Sequence, residues 1–327
     1  MIDHKKMSPL KQQTQMPIQE TQLNPKFIKR RPPAVPLALE PGFMLPPPPE
    51  EHEPAAPAQV PRTKWHGYLR PLNVLLCAVH AIAAGTVLGL GDADVTEKLY
   101  RGTINTSVET VDGEPSVSIG PGSPVEFFEL DFAFFTFCFF AVTAFFHGRA
   151  AIAHEIYVAE LLLCRNYYRW FEYAVSASIM ATTVAYFCTI FDGFQFIALA
   201  ALTATTMGYG LIAELVARPV DAHTWSVGLG DRLTPHLLGY VPQAAAWLII
   251  FLQFFLNTVD TDMPSFVYGI VFGQLVVFWS FGLIQLVVLC NQPSSYVYGE
   301  VAYMALSAAG KLLLGAQLLV NVLWSRD

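Results

Sequence analysis

Charge is scarce in this sequence of 327 residues: only 14% are Asp, Glu, Lys or Arg, against about 25% in an ordinary soluble domain. Cysteine is scarcer still. The five present, Cys77, Cys138, Cys164, Cys188 and Cys290, fall in or beside apolar runs, and no two stand at a metal-ligand spacing such as C-x-x-C. Neither a disulfide framework nor a metal site is indicated, and small buried hydrophobes are the plainer reading. No nucleophile–base pair, phosphate loop or metal cluster is visible, which argues against catalysis on a small molecule. A formal net charge of −7 argues against nucleic acid as a partner. The first residues lack the basic-then-apolar pattern of a signal peptide.

What is plentiful is apolar side chain. Hydrophobic residues make up 54% of the chain and the mean hydropathy is +0.42, the composition of an integral membrane protein. The distribution is uneven. Residues 1–62 are polar and hold 14 of the 23 prolines, four of them consecutive at Pro46–Pro49. Such a segment cannot bury enough apolar surface to offset its ordering entropy, so 1–62 reads as a disordered tail and 63–327 as the membrane domain. The proline run is the type of segment that docks as a polyproline helix. It would give a cytoplasmic signalling partner a handle, although a flexible tail with no partner is the simpler reading.

Apolar segments of about 20 residues or more, enough to cross a bilayer, occur near 67–90, 127–148, 163–190, 194–217, 233–257, 264–290 and 296–323. The expected fold is an all-α membrane protein of seven helices in a lipid bilayer. The one long connection, 91–126, alternates β-formers with turn residues. Asp112-Gly113 stands between "VETV" and "EPSVSI", a hairpin signal that predicts a small two-stranded ribbon outside the bilayer. Lys and Arg set the orientation. Fifteen lie on the side of the tail, ten of them before or at the start of the first span. Only Lys98, Arg101 and Arg326 lie on the other side. The N-terminus is therefore expected in the cytoplasm, and with seven spans the C-terminus and the ribbon outside.

Few ionisable groups fall deep inside the spans: Lys311 in the seventh, Arg169 and Glu172 in the third, His80 in the first and His147 near the inner end of the second. Glu214 and Glu300 stand near the cytoplasmic ends of the fourth and seventh. Lys311 is about 15 residues into its helix, roughly 22 Å at 1.5 Å per residue, too deep for easy snorkelling, and an ammonium there is costly without a partner. Three readings compete: a structural ion pair with Glu172, a transporter's ion or substrate site, and an amine that condenses with an aldehyde. Arg169 and Glu172 are three apart, Ser176 follows by four and Met180 by four more, so all share a helix face. Ser307 precedes Lys311 by four. A carboxylate, two hydroxyls and an amine can thus converge in the bundle.

At "NYYRWFEYAVSASIM" (166–180), "FVYGI" with "FWSFGLIQ" (266–285) and "YGEVAYMALSAAGK" (298–311), the sequence resembles the heliorhodopsins, seven-helix retinal proteins of inverted orientation. The resemblance covers about 65–324. It implies all-trans retinal bound covalently as a Schiff base on Lys311, with Glu172 as counterion and Ser307 where other microbial rhodopsins carry a second acid. It implies a polyene pocket at Ser176, Met180, Phe278, Phe281 and Gln285, with Pro242 next to the ring. His80 and His147, with Arg169, would line a polar proton cavity on the cytoplasmic side. The chain departs from the family pattern at Gln243, where Trp is expected, and at Ala83, where Gln is usual. The resemblance further implies a homodimer and a slow, sensory photocycle without net ion transport. A light-driven or light-gated proton transporter is the alternative, since some viral members of the family conduct protons.

Overall fold

The computed structural model describes residues 58–92, 95–111, 114–260 and 262–323. Of the proline-rich tail, 1–57 lie outside the described residues. At the end of that tail Val60 is buried and donates its N–H to Leu162 O at 2.8 Å, and Arg62 pairs with Glu155.

Among the described residues, eight α-helices and four strands follow. They are α1 (Lys64–Leu90), β1 (Thr96–Arg101), β2 (Ile104–Val111), β3 (Glu114–Pro121), β4 (Val125–Asp131), α2 (Phe132–Ile152), α3 (His154–Leu162), α4 (Tyr167–Phe187), α5 (Gly193–Val216), α6 (Leu229–Asp260), α7 (Ser265–Cys290) and α8 (Tyr296–Leu318). A π-helical turn, Leu319–Leu323, continues α8. Seven of the helices close a ring: α1 packs on α2, α2 on α4, α4 on α5, and so on through α8, which returns to α1. The short α3 lies within the connection from α2 to α4.

Among the described residues, six helices are long and apolar enough to cross a membrane: α1, α2, α5, α6, α7 and α8 with its flanking turns. The seventh, α4, has 21 residues, about 31 Å of helix and so about the thickness of the hydrocarbon core. It is more polar because it faces inward, burying Arg169, Glu172, Ser176, Ser178, Thr182 and Thr183. A helix with such a polar face can stand in a bilayer only with that face turned to other helices.

The connection between α1 and α2 forms more strand than its sequence suggests. β1 pairs with β4 and β2 with β3, each antiparallel, as two short ribbons laid end to end. The Asp112-Gly113 turn lies outside the described residues. The return strand occupies 125–131, so α2 begins at Phe132 rather than 127. Asp131 ends the strand and caps the helix by accepting from the Phe134 N–H at 2.9 Å. Asp192 caps α5 in the same way through Gln195 N–H.

Candidate functional site

The interior of the ring is where its polar side chains meet. α8 carries Lys311 to the centre, 3% exposed, and α4 brings Glu172 opposite it, 5% exposed. Lys311 Nζ is 2.9 Å from Glu172 Oε1 and donates to Ser307 Oγ at 2.7 Å, one helical turn back. Glu172 Oε1 also accepts from Ser176 Oγ at 3.0 Å and from Thr143 Oγ1 at 2.6 Å. A buried ion pair survives desolvation only when its remaining lone pairs and protons are met by such bonds. The Tyr173 ring centroid lies 5.3 Å from Nζ, a further cation contact. Gln274 donates to Gly310 O at 3.0 Å and fixes the helix beside the lysine.

Beyond Glu172, α1 and α2 contribute two histidines. The His80 and His147 rings stack at 5.6 Å. His147 Nδ1 shares a 2.7 Å hydrogen bond with Asn73 Oδ1, and Asn73 is held by Leu69 O. His80 Nδ1 donates to Leu76 O at 2.7 Å, while its Nε2 is buried with no partner among the described residues. A small polar cavity of about 40 Å³ is lined by Asn73, His147, Arg169, Glu172 and Glu300 among others. Its volume and its several polar walls suit ordered water. His80 is not in its lining.

Arg169 shares a helix face with Glu172, but its guanidinium turns away from it. It forms ion pairs with Glu214 of α5 and Glu300 of α8 and donates to Tyr296 Oη at 3.0 Å. Asn166 and Tyr157 add hydrogen bonds to Glu300 at 2.9 and 2.6 Å. Two separate charge clusters result, Lys311–Glu172 in the centre and Arg169–Glu214–Glu300 toward the end of the bundle where α4 and α8 begin.

A narrow cavity opens off Lys311 between Ser176, Met180, Met207, Phe278 and Phe281. A second cavity shares Met207, Phe278 and Phe281 with it and extends toward α6, reaching Gln243 and Gln285. Phe278 and Phe281 thus line both cavities. Pro242 lines neither; its neighbour Gln243 does. An apolar, aromatic-walled slot that ends on a buried primary amine with a carboxylate partner fits a long apolar aldehyde, and retinal is such a molecule.

Three residues of this centre were not foreseen in their roles. Thr143 stands four residues before His147 on α2, and Asn73 seven before His80 on α1, so each shares a face with a histidine already singled out. Met207 on α5 has no comparable signal.

A seven-helix ring with a buried lysine–carboxylate pair defines a rhodopsin-like membrane protein. The family model for heliorhodopsin matches residues 69–323, and the chain belongs to that family. Membership implies a retinal chromophore and a light-absorbing role. Comparison with curated protein sequences finds no match. Among solved structures the chain is similar to xanthorhodopsin, described as a light-driven ion pump with dual chromophore, at 11% identity and a TM-score of 0.53, covering 77% of this chain and 92% of that one. That likeness shows the fold alone. A light-driven proton pump from Leptosphaeria maculans is a weaker neighbour, at 9% identity and a TM-score of 0.46 over 80% of this chain and 95% of that one, and nothing further rests on it.

Proposed function

We propose that the protein is a sensory photoreceptor with all-trans retinal attached at Lys311. The observation that carries this is the ion pair of Lys311 and Glu172 at the closed end of the apolar slot. Lys311 would hold retinal covalently through its side-chain nitrogen, with water as the product lost, and Glu172 would face the positive charge on that nitrogen. Retinal, when bound, supplies visible absorption and light-driven isomerisation. The chain's own groups do the rest. Glu172 balances the charge, and Thr143 and Ser176 hold its carboxylate while Ser307 orients the nitrogen. Met180, Phe278 and Phe281 exclude water along the slot. A proton leaving the Lys311 nitrogen meets Glu172 first and, beyond it, the cavity beside His147 and its stacked neighbour His80.

A sensory cycle without net transport is favoured over pumping because no further acid lies deep on the opposite side of Lys311 among the described residues. Glu129 and Asp131 sit at the strand end that leads into α2. The N-terminus and the 1–62 tail are proposed to be cytoplasmic, on the distribution of Lys and Arg, and the ribbon extracellular. A homodimer through α5, α6 and the ribbon is supported by the ribbon's outer face, where Ile104, Val108, Val117 and Ile119 are each more than 60% exposed. A detergent-corrected mass of one chain would contradict it.

The test is expression with all-trans retinal. The wild type is expected to be coloured and Lys311→Ala colourless. A visible band that persists in the variant overturns the assignment. Patch-clamp recording under illumination separates sensor from transporter: a steady light-dependent current replaces the sensory reading.

A further inference from the structure

The second cavity is apolar for most of its wall, yet His236 of α6 lines it. His236 is 4% exposed, and its Nε2 is buried with no hydrogen-bond partner among the described residues. Leaving such an atom unpaired carries a desolvation cost, so an unmatched buried nitrogen in a cavity wall marks a place for a ligand's polar group.

The chemistry of that group follows from the neighbours. Gln285 donates its Nε2–H to Gly210 O at 2.8 Å, which fixes the amide and leaves Oε1 facing His236 Nδ1 at 3.1 Å. Oε1 can only accept, so Nδ1 carries the ring proton. In the neutral imidazole Nε2 is then an acceptor without a hydrogen, and it calls for an O–H donor. Gln243, also 4% exposed, lines the same cavity one face-repeat along α6, and its amide can complete the bonding of a hydroxyl oxygen. Lys311 does not reach this cavity. The cavity shares Met207, Phe278 and Phe281 with the one that opens off Lys311, so a rod held at Lys311 and running along that slot would point its far end this way.

We infer that this cavity selects a retinoid whose ring carries a hydroxyl, with His236 Nε2 as acceptor. The inference rests on the proposed attachment of retinal at Lys311. A ring ketone has no hydrogen to offer, so it gains nothing from Nε2.

The experiment is competitive reconstitution of the ligand-free full chain with three probes: all-trans retinal, its ring-hydroxylated form and its ring-ketone form. Pigment formation is read by absorbance. A net hydrogen bond of about 1 kcal/mol predicts that the hydroxylated form binds about fivefold tighter than retinal, and the ketone no tighter. In His236→Phe the ratio of hydroxylated form to retinal should fall to about one. Gln243→Leu, farther from the Gln285 network, gives a second reading if His236→Phe does not fold, and should reduce the ratio in part. Equal affinities in the wild type mean that only water meets Nε2, and overturn the inference while leaving retinal attachment intact. A preference that survives His236→Phe, or a ketone that binds as well as the hydroxyl, also overturns it. Failure of every retinoid to form pigment overturns the attachment reading and this inference together.

Discussion

Glu172 and Lys311 lie 139 positions apart in the chain and meet at 2.9 Å with both side chains almost wholly buried. Neither has water to fall back on, so each depends on the other. Breaking such a pair by removing one member typically costs about 3–5 kcal/mol. With retinal bound, Glu172→Gln is expected to lose visible colour at neutral pH or to regain it only with an added halide. Glu172→Asp should stay visible with a shifted maximum, and Ser307→Ala should shift it less, because it removes one hydroxyl and no charge. Absorbance across pH in the three variants is the check. If Glu172→Gln matches wild type without added anion, the balancing charge lies elsewhere.

Arg169 holds two buried carboxylates, Glu214 and Glu300, at once. Arg169→Met leaves both without a counter-charge and should be more destabilising than any single change at either acid. We expect a loss of about 3–5 kcal/mol, read as a lowered melting temperature in detergent. Adding Glu214→Gln and Glu300→Gln to Arg169→Met should restore much of it. A triple variant as unstable as the single one would show that the cost is packing and not charge.

Two glycines of α5 should behave oppositely. A Cβ at Gly210 would run into the Trp170 ring, while one at Gly208 meets nothing within 4 Å. Gly208→Ala should stabilise by up to about 1 kcal/mol through helix propensity. Gly210→Ala should destabilise by about 1–3 kcal/mol as an overpacked contact. Thermal melts of the two variants side by side decide it.

On the ribbon, Lys98 donates to Glu126 at 2.8 Å with both side chains about half exposed. The hydrogen bond and charge of Glu126 raise the Lys98 ammonium above its ordinary value. A raised folded-state value means that its contribution is fully present below the ordinary lysine range and is lost as pH rises through the raised one. An exposed pair contributes little, so Lys98→Met should barely change the melting temperature at neutral pH. The small difference should vanish in strongly alkaline buffer; a difference that grows with pH contradicts this account.

The central site was partly legible because helix periodicity is local. Glu172 with Ser176, and Ser307 with Lys311, are pairs four apart, and four apart is one face of a helix whatever surrounds it. The partners of Arg169 were not legible, because the same rule set Glu172 on its face while Glu214 and Glu300 are 45 and 131 residues away. Thr143 lies in the phenylalanine-rich stretch 132–147, where a threonine that bonds its own backbone looks the same in sequence as one that also holds a carboxylate; it does both here. The ribbon's existence was legible from alternation and the Asp-Gly pair. That its return strand runs into the second helix was not, since "EFFELDFAFF" is apolar enough to read as helix throughout.

That missing linker has a mechanical consequence. β4 passes into α2 at Asp131 without a hinge, and Tyr100 of β1 donates its N–H to Phe191 O between α4 and α5 at 2.8 Å. The β1–β4 ribbon is therefore fastened at two places, to α2, which carries Thr143 and His147, and to the turn that follows α4, which carries Glu172. A shift of α2 is carried straight into β4, since no linker lies between them. A dye at its far end becomes a gauge of what happens around the lysine, read from outside the bilayer and without touching the pigment.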